Sequence, residues 1–224
     1  MTMKLTDLQE RIPADLHLVL AKEGITELRP AQEKAIAAGL LEHKSVLVCT
    51  PTASGKTLIA ELAAVKGIME NRGKAVYIVP LVALANEKCA DFKRKYAGLI
   101  QVAQTSSDVD SADAYLADYD FIVCTAEKLD SLMRHECPWI KYVKTVIIDE
   151  IHLLNDVSRG PTLEILITLM KRLLKDIQIV GLSATIGNPD ELASWLGAKL
   201  VIDGWRPVEL KKGIQYDGKV EFTK

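Results

Sequence analysis

A chain of 224 residues is long enough to bury a full core, and 49% apolar with 26% charged residues describes a folded domain rather than a disordered one. A formal net charge of −2 excludes a surface that holds nucleic acid by bulk charge, although a local groove remains open to it. No apolar run approaches the ~20 residues of a membrane span. The opening "MTMKLTDLQERIPADL" carries charge where a secretory leader needs an apolar segment. Four dispersed cysteines with no C-x-x-C pair read as free thiols in a reducing, cytoplasmic setting.

Residues 1–44 read as a helical prefix, "LTDLQERIPADLHLVLAKEGI" followed by "TELRPAQEKAIAAGLLEH". After it, short β-rich apolar runs alternate with longer amphipathic stretches. "SVLVCT" (45–50) precedes a helical pattern over 56–70, and "AVYIVP" (75–80) one over 81–96. "LIQVAQT" (99–105) and "FIVCT" (121–125) come next, the second leading into a helix over 127–134. "TVIIDE" (145–150) precedes a helix over 161–174, "IQIVGLS" (177–183) one over 190–196, and "KLVID" (199–203) closes the series. Pro161 in a first turn and Asn188-Pro189-Asp190 ahead of "ELASWL" are helix-start signals. Near-continuous apolarity predicts strands covered on both sides, hence an α/β fold with a parallel sheet and helices on both faces. Residues 45–210 form this domain, and 211–224 read as a trailing strand or connector.

"CTPTASGKT" (49–57) follows the first strand and opens a helix, the context of a phosphate-binding loop. Consecutive backbone N–H groups and a helix N-terminus there favour anions. In Gly-x-x-x-x-Gly-Lys-Thr spacing, Thr50 stands where the first glycine belongs; Pro51, Thr52, Ala53 and Ser54 fill the turn before Gly55. Lys56 is placed to reach β- and γ-phosphates, and the Thr57 hydroxyl to ligate Mg²⁺. "VIIDEIH" (146–152) ends another buried strand in carboxylates: Asp149 suits Mg²⁺, and Glu150 suits orienting and deprotonating an attacking water. "GLSATIGNP" sets Ser183 and Thr185 after a third strand, where their hydroxyls could bond the Asp149–His152 loop and sense γ-phosphate.

Taken together these stretches resemble superfamily 2 helicases of the Ski2-like branch, whose phosphate loop commonly opens Ala/Thr-Pro-Thr. "DEIH" resembles the DExH box and "SAT" motif III. "ELRPAQEKAI" resembles the Q-motif region, which implies that Gln32 reads an adenine edge. "VPLVALANEK" resembles motif Ia, implying nucleic-acid contacts at Leu81, Val82 and Ala83. "TAEKLDSLMR" resembles motif Ib, implying Thr125, Glu127 and Lys128. "SRGPTLEIL" resembles the next strand-contacting motif, placing Arg159 and Gly160 near a backbone phosphate. "LSATIGNPDELASWLGA" with "WRPVEL" is close to the archaeal Hel308 DNA helicases. The likeness runs over 5–210 and implies a RecA-like ATP- and Mg²⁺-binding domain, with coupling through His152, Ser183 and Thr185. It implies 3′–5′ movement on single-stranded or forked DNA, and a second RecA-like domain with C-terminal helicase domains supplied by a longer protein.

Some positions depart from the pattern. Val82 stands at an arginine of motif Ia, Ala126 at a hydroxyl of motif Ib, and "QTSSD" replaces a frequent Thr-Gly-Asp. Two rival readings are an RNA helicase of the Ski2 type and a non-catalytic, nucleotide-gated binding module. Trp139 and Trp195 read as packing residues, Lys93-Arg94-Lys95 as a solvated helix face, and Lys171, Arg172 and Lys175 as an exposed helix end. Trp205-Arg206-Pro207 reads as a structural bridge toward further domains.

Overall fold

The computed structural model describes residues 2–105, 114–184, 186–208 and 213–222. Thr185 and residues 106–108 of the "QTSSD" segment lie outside them. Seven parallel strands form one sheet in the order β3-β4-β2-β5-β6-β1-β7. They are β1 (Val46–Cys49), β2 (Lys74–Val79), β3 (Val102–Thr105), β4 (Phe121–Thr125), β5 (Val143–Ile148), β6 (Gln178–Ser183) and β7 (Lys199–Ile202). Each lies within an apolar run predicted above, except that β2 and β5 start one and two residues earlier.

Side chains alternate across the sheet and find a core on each face. Val46 and Val48 of β1 and Tyr77 of β2 point into one core, shared with α1 (Ala14–Lys22), α2 (Pro30–Ala37), α3 (Lys56–Met69) and α4 (Val82–Lys95). Leu47, Cys49 and Ile78 point into the other, shared with α5 (Ala126–Arg134), α6 (Gly160–Leu173) and α7 (Pro189–Leu196). Trp139 is buried in that second core, as expected, and Trp195 packs at its margin with Lys171 over its ring. All four cysteines are buried and outside any disulfide; full burial pushes the Cys124 thiol up to about 12. Among the described residues no helix is long and apolar enough to cross a membrane.

One charged stretch differs from the sequence reading, at Lys95. Lys95 belongs to no solvated face. It donates to Glu61 Oε2 at 2.5 Å, both side chains are nearly buried, and the Tyr96 hydroxyl donates to the same oxygen. This pins α4 to α3, and truncating one buried partner of such a pair costs on the order of 3–5 kcal/mol. Lys171, exposed in the last turn of α6 as read, donates to the Trp195 carbonyl. Toward the C-terminus, Gly213–Tyr216 (β8) and Lys219–Phe222 (β9) pair as an antiparallel hairpin. Asp217 and Gly218 turn it with φ 46° and 73°, the positive values that Asp-Gly favours in tight hairpins.

Candidate nucleotide site and nucleic-acid edge

Parallel pairing lines up the carboxyl ends of β1, β5 and β6. Cys49 is in register with Ser183 and Ile148 with Gly181; Thr50 N then donates to Ser183 O (3.1 Å), and Asp149 N to Ile78 O (2.9 Å). The phosphate-loop segment, the Asp149-Glu150 pair and Ser183 are thus brought to one edge from three strands.

The loop between β1 and α3 is built largely by side chains. Thr50 Oγ1 and Ser54 Oγ, both buried, share a hydrogen bond of 2.7 Å across the turn, so the residue in the glycine position closes the loop. Gly55 caps α3 with φ 89°, and a Cβ there would stand 2.5 Å from Gln32 Nε2. Only glycine meets both demands. Gln32 is 3% exposed; it donates to Gly55 O (3.0 Å) and accepts from Arg29 N (2.8 Å). Its amide therefore braces the loop from the prefix. Arg29 donates to Ala53 O at 2.6 Å and lies 5.4 Å above the Trp205 ring. Trp205 therefore bridges back onto the prefix. Lys56 donates to the Thr50 and Pro51 carbonyls at 3.0 and 3.3 Å. Burial lowers its pKa, while Glu150 and Asp149 oppose that shift.

Beside it, Asp149 accepts from the Tyr77 hydroxyl (2.9 Å) at Oδ2 and from Glu150 N (3.0 Å) at Oδ1. Burial, then the Asp149 charge, pushes the Tyr77 pKa well up, which keeps that hydroxyl a donor. Glu150 has φ 51° and ψ 44°, a left-handed conformation that turns the chain into the 3-10 segment Ile151–Asn155. His152 Nδ1 lies 3.3 Å from Glu150 Oε2 without the alignment of a hydrogen bond. Ser183 Oγ is buried and has no hydrogen-bond partner among the described residues. The Thr57 hydroxyl with the Asp149 carboxylate is an all-oxygen donor set. It fits Mg²⁺, which takes one or two protein ligands and completes its shell with phosphate and water. A cavity of about 480 Å³ opens beside the loop between Arg29, Gln32, Thr57, Glu61 and Lys88.

The adjoining edge is made of helix starts. Leu81 caps α4 in an extended conformation with no side-chain cap, and Leu81 and Val82 stand 47% and 44% exposed, with Ala83 also exposed. Thr125 Oγ1 accepts from Lys128 N (3.3 Å), which commits its hydroxyl to capping α5. Glu127 is exposed, but Lys128 is 7% exposed and offers little surface to a strand. In this structure α5 turns Lys128 toward the protein. Arg159 caps α6 and donates to Pro80 O (3.1 Å), tying the loop after β5 to the loop after β2. Gly160 is buried, and a Cβ there would fall 2.2 Å from Leu154 O, so close packing explains the glycine without any ligand. Asp149, Glu127 and Arg159 line one small cavity of about 20 Å³, so the two edges meet across it.

The sequence profile of the DEAD/DEAH box helicases matches residues 29–192, from Arg29 through the phosphate loop and Asp149-Glu150 to the start of α7. The chain belongs to that family. Among its relatives, the ATP-dependent DNA helicase Hel308 of Pyrococcus horikoshii is 51% identical over 218 residues, 97% of this chain and 30% of that protein. Hel308 of Methanocaldococcus jannaschii is 52% identical over 211 residues, 91% of this chain and 17% of that protein. The chain therefore spans between 17% and 30% of the length of these relatives. A crystal structure of the DUF1998 helicase MrfA bound to DNA and AMPPNP superimposes with a TM-score of 0.75 at 26% identity, over 86% of this chain and 29% of that one. The sheet described here is the RecA-like α/β fold of these helicases.

Within this DEAD/DEAH box domain the sequence reading missed Tyr77, Arg29 and Lys88. Tyr77 sits mid-strand in "AVYIVP", where it reads as one more core aromatic, and its ring does stack into the Phe92 and Phe121 cluster. A phenol in an otherwise aliphatic buried strand was the signal that its oxygen needs a partner.

Proposed function

We propose that this chain is the ATP·Mg²⁺-binding first RecA-like domain of a DNA helicase that moves 3′–5′ on single-stranded or forked DNA in replication and repair. The observation that carries this reading is the convergence of the segment after β1 and Asp149-Glu150 on one sheet edge, where Asp149 shares a small cavity with the starts of α5 and α6. Relatives named as ATP-dependent DNA helicases, and the MrfA structure with DNA and AMPPNP, support the choice of ATP and DNA.

On this reading the backbone N–H groups ahead of α3 and the Lys56 ammonium hold the phosphates, which requires Lys56 to leave the Thr50 and Pro51 carbonyls. Thr57 and Asp149 hold Mg²⁺, which supplies charge neutralisation of the β- and γ-oxygens when bound. Glu150 orients a water and takes its proton. His152, Ser183 and Thr185 sense that step, with Ser183 offering an unpartnered hydroxyl. Gln32 passes the state of the base pocket to Gly55. The N-termini of α4, α5 and α6 face sugar-phosphate, which gives grip without sequence preference. Hydrolysis needs a second RecA-like domain to close over the nucleotide.

Fluorescent-ATP binding by this chain, with ATP turnover by the complete helicase on matched DNA and RNA strands, tests the reading. Binding here together with turnover that DNA stimulates above RNA is expected. Stimulation by RNA alone would move the assignment to an RNA helicase. Binding with no turnover by the complete protein would leave a nucleotide-gated binding module.

A further inference from the structure

We infer that Lys88 is a third cationic ligand for the nucleotide, contacting its phosphate chain from α4 across the cavity beside the phosphate loop. The inference rests on the nucleotide reading of that loop and goes beyond it, because Lys88 belongs to the helix that starts the nucleic-acid edge.

Lys88 Nζ donates to Thr57 Oγ1 at 3.1 Å, at the start of α3, and its side chain lines the cavity of about 480 Å³ with Arg29, Gln32 and Gly55. Of the three carboxylates that line the same cavity, Glu27 is exposed and makes no ion pair with Lys88, and the other two are already engaged. Glu61 accepts from Lys95 and Tyr96, and Asp91 pairs with Arg94 at 2.9 Å. Among the described residues Thr57 is the hydrogen-bond partner of Lys88, and no carboxylate pairs with it. A half-buried ammonium without a counter-charge is costly next to a helix N-terminus, where the macrodipole is also positive. Lys56, Arg29 and Lys88 thus gather round one helix start, an arrangement that an anion relieves. The anion that fits is the phosphate chain of a nucleotide whose base lies on the Gln32 side. α4 is held against α3 by the nearly buried Lys95–Glu61 pair, and the half-buried Lys88 contact is the more adjustable of the two. Through it, phosphate would draw on the same helix whose first turn presents Leu81 and Val82.

Binding of fluorescent ATP and ADP to this chain, in EDTA and in Mg²⁺, compares wild type with Lys88→Met and Lys88→Arg, each first checked for its unliganded melting temperature. Lys88→Met is expected to raise the Kd of both nucleotides about tenfold, a loss of roughly 1.4 kcal/mol. The loss should persist in EDTA, and Lys88→Arg should restore most of the affinity because it keeps the charge. Unchanged Kd values in Lys88→Met overturn the inference, as does an equal loss in both variants, which would mark a packing role. No binding by wild type sinks the nucleotide reading instead, so the two failures are told apart.

Discussion

The loop after β1 and the loop after β2 leave the same sheet edge, yet their construction differs. The first is held by side chains from outside itself: Arg29 on Ala53, Gln32 on Gly55, and the Thr50–Ser54 bridge within. The second shows exposed Leu81 and Val82 at an uncapped helix start, and one long-range brace, Arg159 on Pro80. Such a contrast suits two kinds of ligand. A nucleotide has one shape and repays a preorganised cradle. A nucleic-acid backbone repeats along its length, and free N–H groups with apolar surroundings can follow it without a fixed pocket.

Breaking the chemistry at the first edge should have the largest effect. Glu150→Gln in the complete helicase is expected to lower kcat by at least ~100-fold, the usual worth of a positioned base, while the nucleotide Kd changes little. Steady-state hydrolysis beside fluorescent-ATP titration checks both, and near-normal kcat would remove Glu150 from its role. Lys56→Ala comes next. Losing a charged donor to phosphate costs about 1.5–3 kcal/mol, so Kd should rise roughly 10- to 100-fold. If instead Kd is unchanged, the loop is not a phosphate cradle. The variant should also melt a little lower, because the Thr50 and Pro51 carbonyls that Lys56 now holds belong to buried residues and would lose a donor.

How much of this could be read from the chain alone differs between the two edges for a physical reason. The central strands were legible because burial on both faces makes them near-continuous apolar runs, whereas the edge strand β7, with Lys199 and Ile202 exposed, was legible from a short apolar stretch. Gly55-Lys56-Thr57 was legible because a phosphate turn is local, with its residues consecutive. The Tyr77–Asp149 bond joins residues 72 apart and exists through the pairing of β2 with β5, which places Tyr77 opposite Ile147. Lys95 looked solvated because a run of three cations has no inherent inside; the rotation of α4 turns Lys95, and not Lys93, onto Glu61. Lys128 shows the opposite case. Its motif marked it for a ligand, and the start of α5 buries it.

The claim that side chains build the first loop can be sharpened at Thr50 and Ser54. Thr50→Val and Ser54→Ala each remove one half of a buried hydrogen bond and leave the other hydroxyl unsatisfied, a cost of about 1–3 kcal/mol. Chemical denaturation of the double variant should then show less than the sum of the two losses, because the second substitution removes a group already orphaned. Strictly additive losses would mean that the two hydroxyls act separately, and that the loop is shaped by its backbone alone.

The smallest effect expected is a gain at the second edge. Val82 stands where the helicase pattern carries arginine, and it is 44% exposed at the first turn of α4, so Val82→Arg places a cation at the surface without disturbing either core. One added phosphate contact on a single strand should steepen the log Kd against log salt plot by about 0.7. At low salt, binding of single-stranded DNA should tighten a few-fold and be indifferent to sequence, since a backbone contact reads no base. Nucleotide affinity should stay unchanged, because Val82 lies outside the cavity lined by Gln32, Thr57 and Lys88. An unchanged salt slope would place the strand elsewhere than on the start of α4, and with it would fall the contrast between a preorganised nucleotide loop and an open nucleic-acid edge beside it.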